Sequence, residues 1–115
     1  MDFRPVKVPG GFAPWVRALQ GKSGCYVIKE AGFLGEVVYI GESHTGRLRE
    51  TLTRHFQHWK GPTSGPTFQP GAVVVAVVVT RPERSVEFQN ALIEEHRPRL
   101  NVEGKPKSWL EKLLE

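Results

Sequence analysis

The chain is expected to fold as a small α+β sandwich, a three-stranded antiparallel sheet flanked by helices, in the core order β-β-α-β-α with short helical extensions at both ends. Three observations carry this. Residues 25–41 hold two β-type runs around a glycine-rich joint, residues 45–60 hold an amphipathic run of helical period, and "AVVVAVVVT" (72–80) is followed by a second helical run that ends at Pro98. At 115 residues the length admits one domain and one modest core.

"MDFRPVKVPGG" has two prolines and a Gly-Gly pair and reads as an irregular arm. "FAPWVRALQ" is a short helix with Pro14 in its first turn. After the break at Gly21 to Gly24, "CYVIKE" and "EVVYIG" are rich in β-branched and aromatic residues, and "AGFLG" between them supplies a turn, so they form an antiparallel hairpin. In "TGRLRETLTRHFQHWK", Leu48, Leu52, Phe56 and Trp59 share one helical face and Thr45 is a candidate N-cap. "GPTSGPTFQPG" is a loop by composition. "AVVVAVVVT" carries no charge and reads as a strand buried on both faces. Ser85 is a candidate N-cap for the helix that Pro98 stops, and "KSWLEKLLE" forms a last amphipathic turn or two.

Composition narrows the function. The formal charge is +4 with 16 basic and 12 acidic residues. Arg47, Arg49, Arg54, His55, His58 and Lys60 follow closely, a cluster that suits either a polyanion or a solvated helix face. The single cysteine, Cys25, excludes an internal disulfide and a cysteine-rich zinc site and fits a reducing compartment. No apolar run approaches the roughly 18 residues of a membrane span and no signal-peptide core opens the chain, so a soluble, intracellular protein is expected. Walker-type, dinucleotide-binding and HExxH motifs are absent, which leaves nucleotide hydrolysis, dinucleotide redox and common zinc catalysis without their residues. Cys25 lies in a β-run, where a buried small hydrophobe is the ordinary role.

Gly24-Cys25-Tyr26, then Tyr39-Ile40-Gly41, a basic helix reaching His55-Phe56, a Val-rich strand and a helix running into "HRPRLN" together resemble the GIY-YIG endonuclease superfamily. The resemblance covers residues 22–102 as the core of a single domain, leaving an arm (1–21) and a tail (103–115). It implies cleavage of phosphodiester bonds with one divalent cation, Mg2+ or Mn2+, and DNA as the partner, with RNA the other polyanion open. Monomer and homodimer remain equally open. It assigns Tyr26 and Tyr39 to the paired tyrosines that help activate water, aided by a neighbouring tyrosine or histidine, with His55 where many members carry a histidine. An unperturbed phenol near pKa 10 is a poor base, so that role asks for a cationic or metal neighbour.

Two positions depart from the family. Counting back from His55, the expected arginine falls on Thr51; counting forward from Tyr39, it falls on Arg49, because "ESHTG" is longer than usual. Helix geometry favours Arg47, one turn before Thr51 and on the side of His55, with Arg49 as the alternative. At the metal position the family's glutamate falls on Gln89, expected to face inward among Val86, Phe88, Leu92 and Ile93, with Glu87 and Glu94 facing away. A neutral amide is a weaker ligand than a carboxylate for a hard cation. A substituted form, a variant whose metal uses another group such as Glu42, and a noncatalytic nucleic-acid-binding module on the same fold remain open. His44, Thr45, Thr51, Arg54, His58, Lys60 and Asn101 are the further candidates for contacting nucleic acid, although Asn101, in "PRLN", also suits a turn or backbone contact.

Overall fold

A computed structural model describes residues 1–57 and 65–103. Its centre is a three-stranded antiparallel sheet in the order β4-β3-β5, built from β3 (Ser23–Glu30), β4 (Val37–Ser43) and β5 (Val73–Thr80). The expected hairpin is therefore present, and the α+β class with a three-stranded antiparallel sheet is borne out. The middle strand runs SGCYVIKE, and its first six residues are all buried, as befits a strand with neighbours on both sides and helices above and below. Alternation sends Tyr26 and Ile28 to one face and Cys25 and Val27 to the other.

The first face is covered by α2 (Leu48–Thr53) and the N-terminal segment. Val6, Val16, Tyr26, Ile28, Leu48, Leu52 and Val75 are buried in one cluster there. The second face is covered by α3 (Ser85–His96) and α4 (Arg99–Glu103). Here the Cys25 thiol donates to the Ser85 carbonyl at 3.0 Å.

Several expectations are corrected. The opening arm is ordered: β1 (Lys7–Val8) and β2 (Gly11–Phe12) pair around a turn in which Gly10 and Gly11 take positive φ. Arg4 bridges Val75 by two backbone hydrogen bonds of 2.9 Å, which covers part of the exposed edge of β5. The short helix is α1 (Pro14–Arg17), with Pro14 in its first turn. The strand at 73–80 is an edge strand, and Val79 is 54% exposed. Its lack of charge reflects β-propensity more than burial on both faces.

Of the helical run at 45–60, the described part is α2 followed by a 3₁₀ turn, Arg54–Phe56, and Trp59 lies outside the described residues. Thr45 does not cap it. The Ser43 hydroxyl instead accepts from the Arg47 amide at 3.1 Å, and the Lys22 carbonyl accepts from the Leu48 amide at 3.0 Å. Ser85 likewise is not a cap but the first residue of α3, and its hydroxyl points at a side chain of β4. At the other end α3 is closed by Arg97 in the left-handed region, φ 46°, just before Pro98. Phe88 and Val86 are 38% and 44% exposed, so the apolar stripe of α3 is narrower than its sequence implies. The expected helical tail and the loop's first four residues fall outside the described residues.

Candidate active site

The two glycine-tyrosine motifs meet across β3 and β4. Tyr26 is paired with Gly41, and Ile28 with Tyr39, so both tyrosines stand on the same face. Their ring centroids are 6.3 Å apart. The glycines explain themselves sterically. A Cβ on Gly41 would lie 2.2 Å from both Cζ and Oη of Tyr26, so the Tyr26 ring lies flat over position 41 only because no side chain is there. A Cβ on Gly24, whose φ is +151°, would lie 2.1 Å from the Val78 carbonyl oxygen on β5.

His55 completes the group from the 3₁₀ turn after α2. It is 1% exposed, its ring centroid lies 4.9 Å from that of Tyr39 and 5.5 Å from that of Tyr26. Its Nδ1 is 2.7 Å from the Pro66 carbonyl oxygen and its Nε2 is 2.7 Å from the Tyr26 hydroxyl. A carbonyl can only accept, so Nδ1 carries the proton. In the neutral ring Nε2 is then an acceptor, and the Tyr26 hydroxyl donates to it. Burial lowers the pKa of His55, against the backbone hydrogen bond to Pro66, which works the other way.

Burial raises Tyr26 well above the usual phenol value, and the charges of Tyr39 and Glu42 add to it. Burial also raises Tyr39. The neighbour that a working phenol requires is thus a neutral imidazole and not a cation, and both phenols stay protonated near neutral pH. Tyr39 is half-buried, and its hydroxyl has no hydrogen-bond partner among the described residues.

The second motif is fixed from behind. The Asn101 amide accepts from the Ile40 N–H at 2.7 Å and donates to the Ile40 carbonyl at 2.8 Å. The Ile40 side chain is buried, but its backbone N–H and C=O point away from β3 along the edge of β4, where both would otherwise lack partners, and Asn101 acts as a one-residue extra strand. With both ends used and only 5% exposed, Asn101 is a backbone clamp and is withdrawn from the nucleic-acid contacts.

The remaining candidates disperse around this centre. Arg47 is exposed, precedes α2 with φ −117°, and its side chain has no partner among the described residues. The helical-wheel comparison with Thr51 and His55 therefore does not extend to it, since the helix starts at Leu48. Arg49 donates to the Gln20 side chain, which ties it to the N-terminal segment. Thr51 is half-buried and Arg54 exposed. His44 and Thr45 are exposed in the β4–α2 loop, His58 and Lys60 lie outside the described residues, and Gln89 is half-buried on α3.

Ser85, expected only as an N-cap, and Pro66 also contribute. Ser85 donates to the Glu42 carboxylate at 2.9 Å, and that carboxylate is also 3.1 Å from His44 Nδ1. Pro66 acts through its backbone carbonyl, for which a sequence has no signal. Among the described residues no group of three or more His, Cys, Asp or Glu side chains is arranged to hold a metal ion, and no helix is long and apolar enough to cross a membrane.

Against known proteins the chain matches no family model. It is 34% identical over 87 residues to UvrABC system protein C of Anaeromyxobacter dehalogenans (strain 2CP-C), which covers 73% of this chain and 12% of that protein. The same protein of strain 2CP-1 / ATCC BAA-258 gives the same identity and coverage, and that of Anaeromyxobacter sp. (strain Fw109-5) is 33% identical over 87 residues. The likeness is to UvrABC system protein C. This chain spans about one eighth of the length of these relatives.

Proposed function

We propose that this chain is a GIY-YIG-type endonuclease that hydrolyses phosphodiester bonds in DNA, acting inside the cell. The observation that carries the reading is the Tyr26–Tyr39–His55 cluster, in which the two glycines of the tyrosine motifs make room for one ring and its backbone neighbour. Similarity to UvrABC system protein C over 87 residues supports it from a second side.

The chemistry follows from the proton positions. Tyr26 donates to His55 Nε2, so its oxygen keeps a lone pair that accepts a proton from an attacking water. As that proton arrives at Tyr26 Oη, the phenolic proton passes to His55 Nε2, and the imidazolium is stabilised by Nδ1–H donating to Pro66. The water oxygen forms the new bond to phosphorus while the bond to the leaving sugar oxygen breaks. Tyr39, with its hydroxyl unpaired among the described residues, orients the water or a nonbridging oxygen. Arg47 is the exposed cation that neutralises charge on those oxygens, with Arg49 the alternative once released from Gln20.

Position 89 carries an amide, which fits a hard divalent cation poorly. Among the described residues no group of three or more His, Cys, Asp or Glu side chains replaces it, and the Glu42 carboxylate, bonded to Ser85, lies on the sheet face opposite the tyrosines. A divalent ion brought in with the substrate would supply Lewis-acid stabilisation of charge on the phosphate oxygens.

Incubating supercoiled plasmid with the protein and Mg2+ or Mn2+ tests the reading. Nicking that chelator abolishes and that Tyr39→Phe slows at least tenfold is expected. Intact plasmid under all these conditions, with the protein folded, would refute it. Gln89 favours one other reading, a noncatalytic nucleic-acid-binding module, for which Gln89→Glu also leaves plasmid intact while a labelled duplex still shifts at low salt.

A further inference from the structure

The turn that joins β3 to β4 holds two apolar side chains out in water. Phe33 is 99% and Leu34 86% exposed, where a turn ordinarily carries polar residues. The turn itself is firmly built. The Gly35 N–H donates to the Gly32 carbonyl at 3.3 Å, the Glu30 N–H donates to the Glu36 carbonyl at 2.9 Å, and a Cβ on Gly35 would run into the Glu30 carbonyl oxygen. Packing inside the domain does not account for Phe33 and Leu34.

A cavity of about 650 Å³ adjoins this turn. Glu30, Gly35 and Glu36 line it from the hairpin, Arg97 and Arg99 from the junction of α3 and α4, with Val38 between them in sequence. Among the described residues the side chains of Glu30, Glu36, Arg97 and Arg99 make no ion pair or hydrogen bond, and all four are exposed. Opposite charges that border one cavity without pairing offer both donors and acceptors to an occupant. Arg97 is also the residue with φ 46° that closes α3, a position where glycine is usual, so a cation is kept there against the backbone preference.

An unpaired nucleotide matches this chemistry. Guanidinium groups take a phosphate, carboxylates accept from the N4 amine of cytosine, and an exposed aromatic ring is a platform for a base. The volume suits one small ligand rather than a duplex. Bases inside a duplex stack on each other and have no free face to give Phe33. The turn also lies within reach of the tyrosines: Leu34 precedes Tyr39 by about 17 Å of strand at ~3.3 Å per residue, the length of about five stacked nucleotides at ~3.4 Å each.

We propose that the β3–β4 turn and the adjoining cavity form a subsite for unpaired DNA with a preference for cytosine. Phe33 and Leu34 cover exposed base faces, Arg97 and Arg99 hold a phosphate, and Glu30 and Glu36 accept from the base amine. The inference rests on the endonuclease reading above and names its substrate class, DNA with a single-stranded stretch beside the cut.

Fluorescence anisotropy of labelled oligo-dC, oligo-dT and a blunt duplex, with the full chain in chelator, tests this without turnover. Oligo-dC should bind about fivefold more tightly than oligo-dT, and Glu30→Ala/Glu36→Ala should abolish that difference. Phe33→Ser should weaken oligo-dC about tenfold. Arg97→Gly, which suits the left-handed backbone and so keeps the fold, should weaken both oligomers several-fold and lower the salt slope by about one. Duplex affinity should stay unchanged in Phe33→Ser. Unchanged oligo-dC binding in Phe33→Ser and Arg97→Gly, or an equal loss for oligo-dC and duplex, overturns the subsite; equal binding of the two oligomers by the wild type overturns the role of the carboxylates. Plasmid nicking by the same proteins separates the two layers. Intact plasmid with oligo-dC binding lost in Phe33→Ser sinks the endonuclease reading and leaves a single-strand binding site, whereas nicking with oligo-dC binding unchanged in both variants removes the subsite alone.

Discussion

Adding one methyl group to Gly41 should damage both the fold and the reaction. The Cβ of Gly41→Ala would sit 2.2 Å from Tyr26 Cζ and Oη and 2.7 Å from Cε2. Tyr26 is 1% exposed and its hydroxyl is held by His55, so the ring has no open space into which to swing. Overpacking of a core costs about 1–3 kcal/mol. A ring that moves also leaves His55 Nε2 buried without its donor, a further ~1–3 kcal/mol. Together these give roughly 2–6 kcal/mol, or a fall in Tm of about 8–24 °C at ~4 °C per kcal/mol for a domain near this size. Thermal unfolding followed by circular dichroism reads it, with Gly71→Ala as control, because a Cβ there meets nothing within 4 Å. Plasmid nicking should fall at least tenfold at a temperature where the variant is folded. A Gly41→Ala protein within about 0.5 kcal/mol of the wild type would refute the steric argument.

Other consequences are as direct. His55 is held neutral with a lowered pKa, so its contribution to stability is complete above the unfolded value near 6.5 and is lost as pH falls from there through the folded value. Denaturant midpoints from pH 8 to 4 should show this slope, and His55→Gln should flatten it. Asn101→Ala leaves the Ile40 N–H and C=O without partners and should cost roughly 2–4 kcal/mol in urea unfolding without changing duplex affinity in the folded protein. Arg47→Ala should lower nicking about 100-fold at unchanged Tm, whereas Arg49→Ala, which frees Gln20, should act mainly on stability. The Cys25 thiol is fully buried and pushed up to about 11 by burial and the Glu42 charge, so a thiol reagent at pH 7.5 should label it only in the unfolded chain.

The hairpin and both long helical runs were legible because they depend on local period and turn residues. Tyr26 and Tyr39 could be assigned to neighbouring strands from the glycine-rich joint between them. What the sequence left hidden depends on sheet order and backbone donors. The charge-free 72–80 segment looks central by composition, yet β3, flanked by two partners, takes that place and β5 lies at the edge. The N-terminal arm looked irregular because prolines and glycines obscure a two-residue ladder, while Val6 within it is fully buried. The tautomer of His55 is set by a carbonyl eleven residues away, and the grip on Ile40 by a side chain 61 residues away, neither of which periodicity reveals. The wheel argument for Arg47 failed on a boundary: the helix begins one residue after it.

A structure of the Tyr26→Phe variant bound to a short DNA duplex bears most immediately on whether the tyrosine pair is where phosphodiester chemistry happens. A backbone phosphate within hydrogen-bonding distance of the Tyr39 hydroxyl, on the sheet face that carries Tyr26 and His55, is the expected result. A duplex seated instead along the cleft lined by Glu30, Glu36, His96, Arg97 and Arg99, with the tyrosines away from any phosphate, would contradict it.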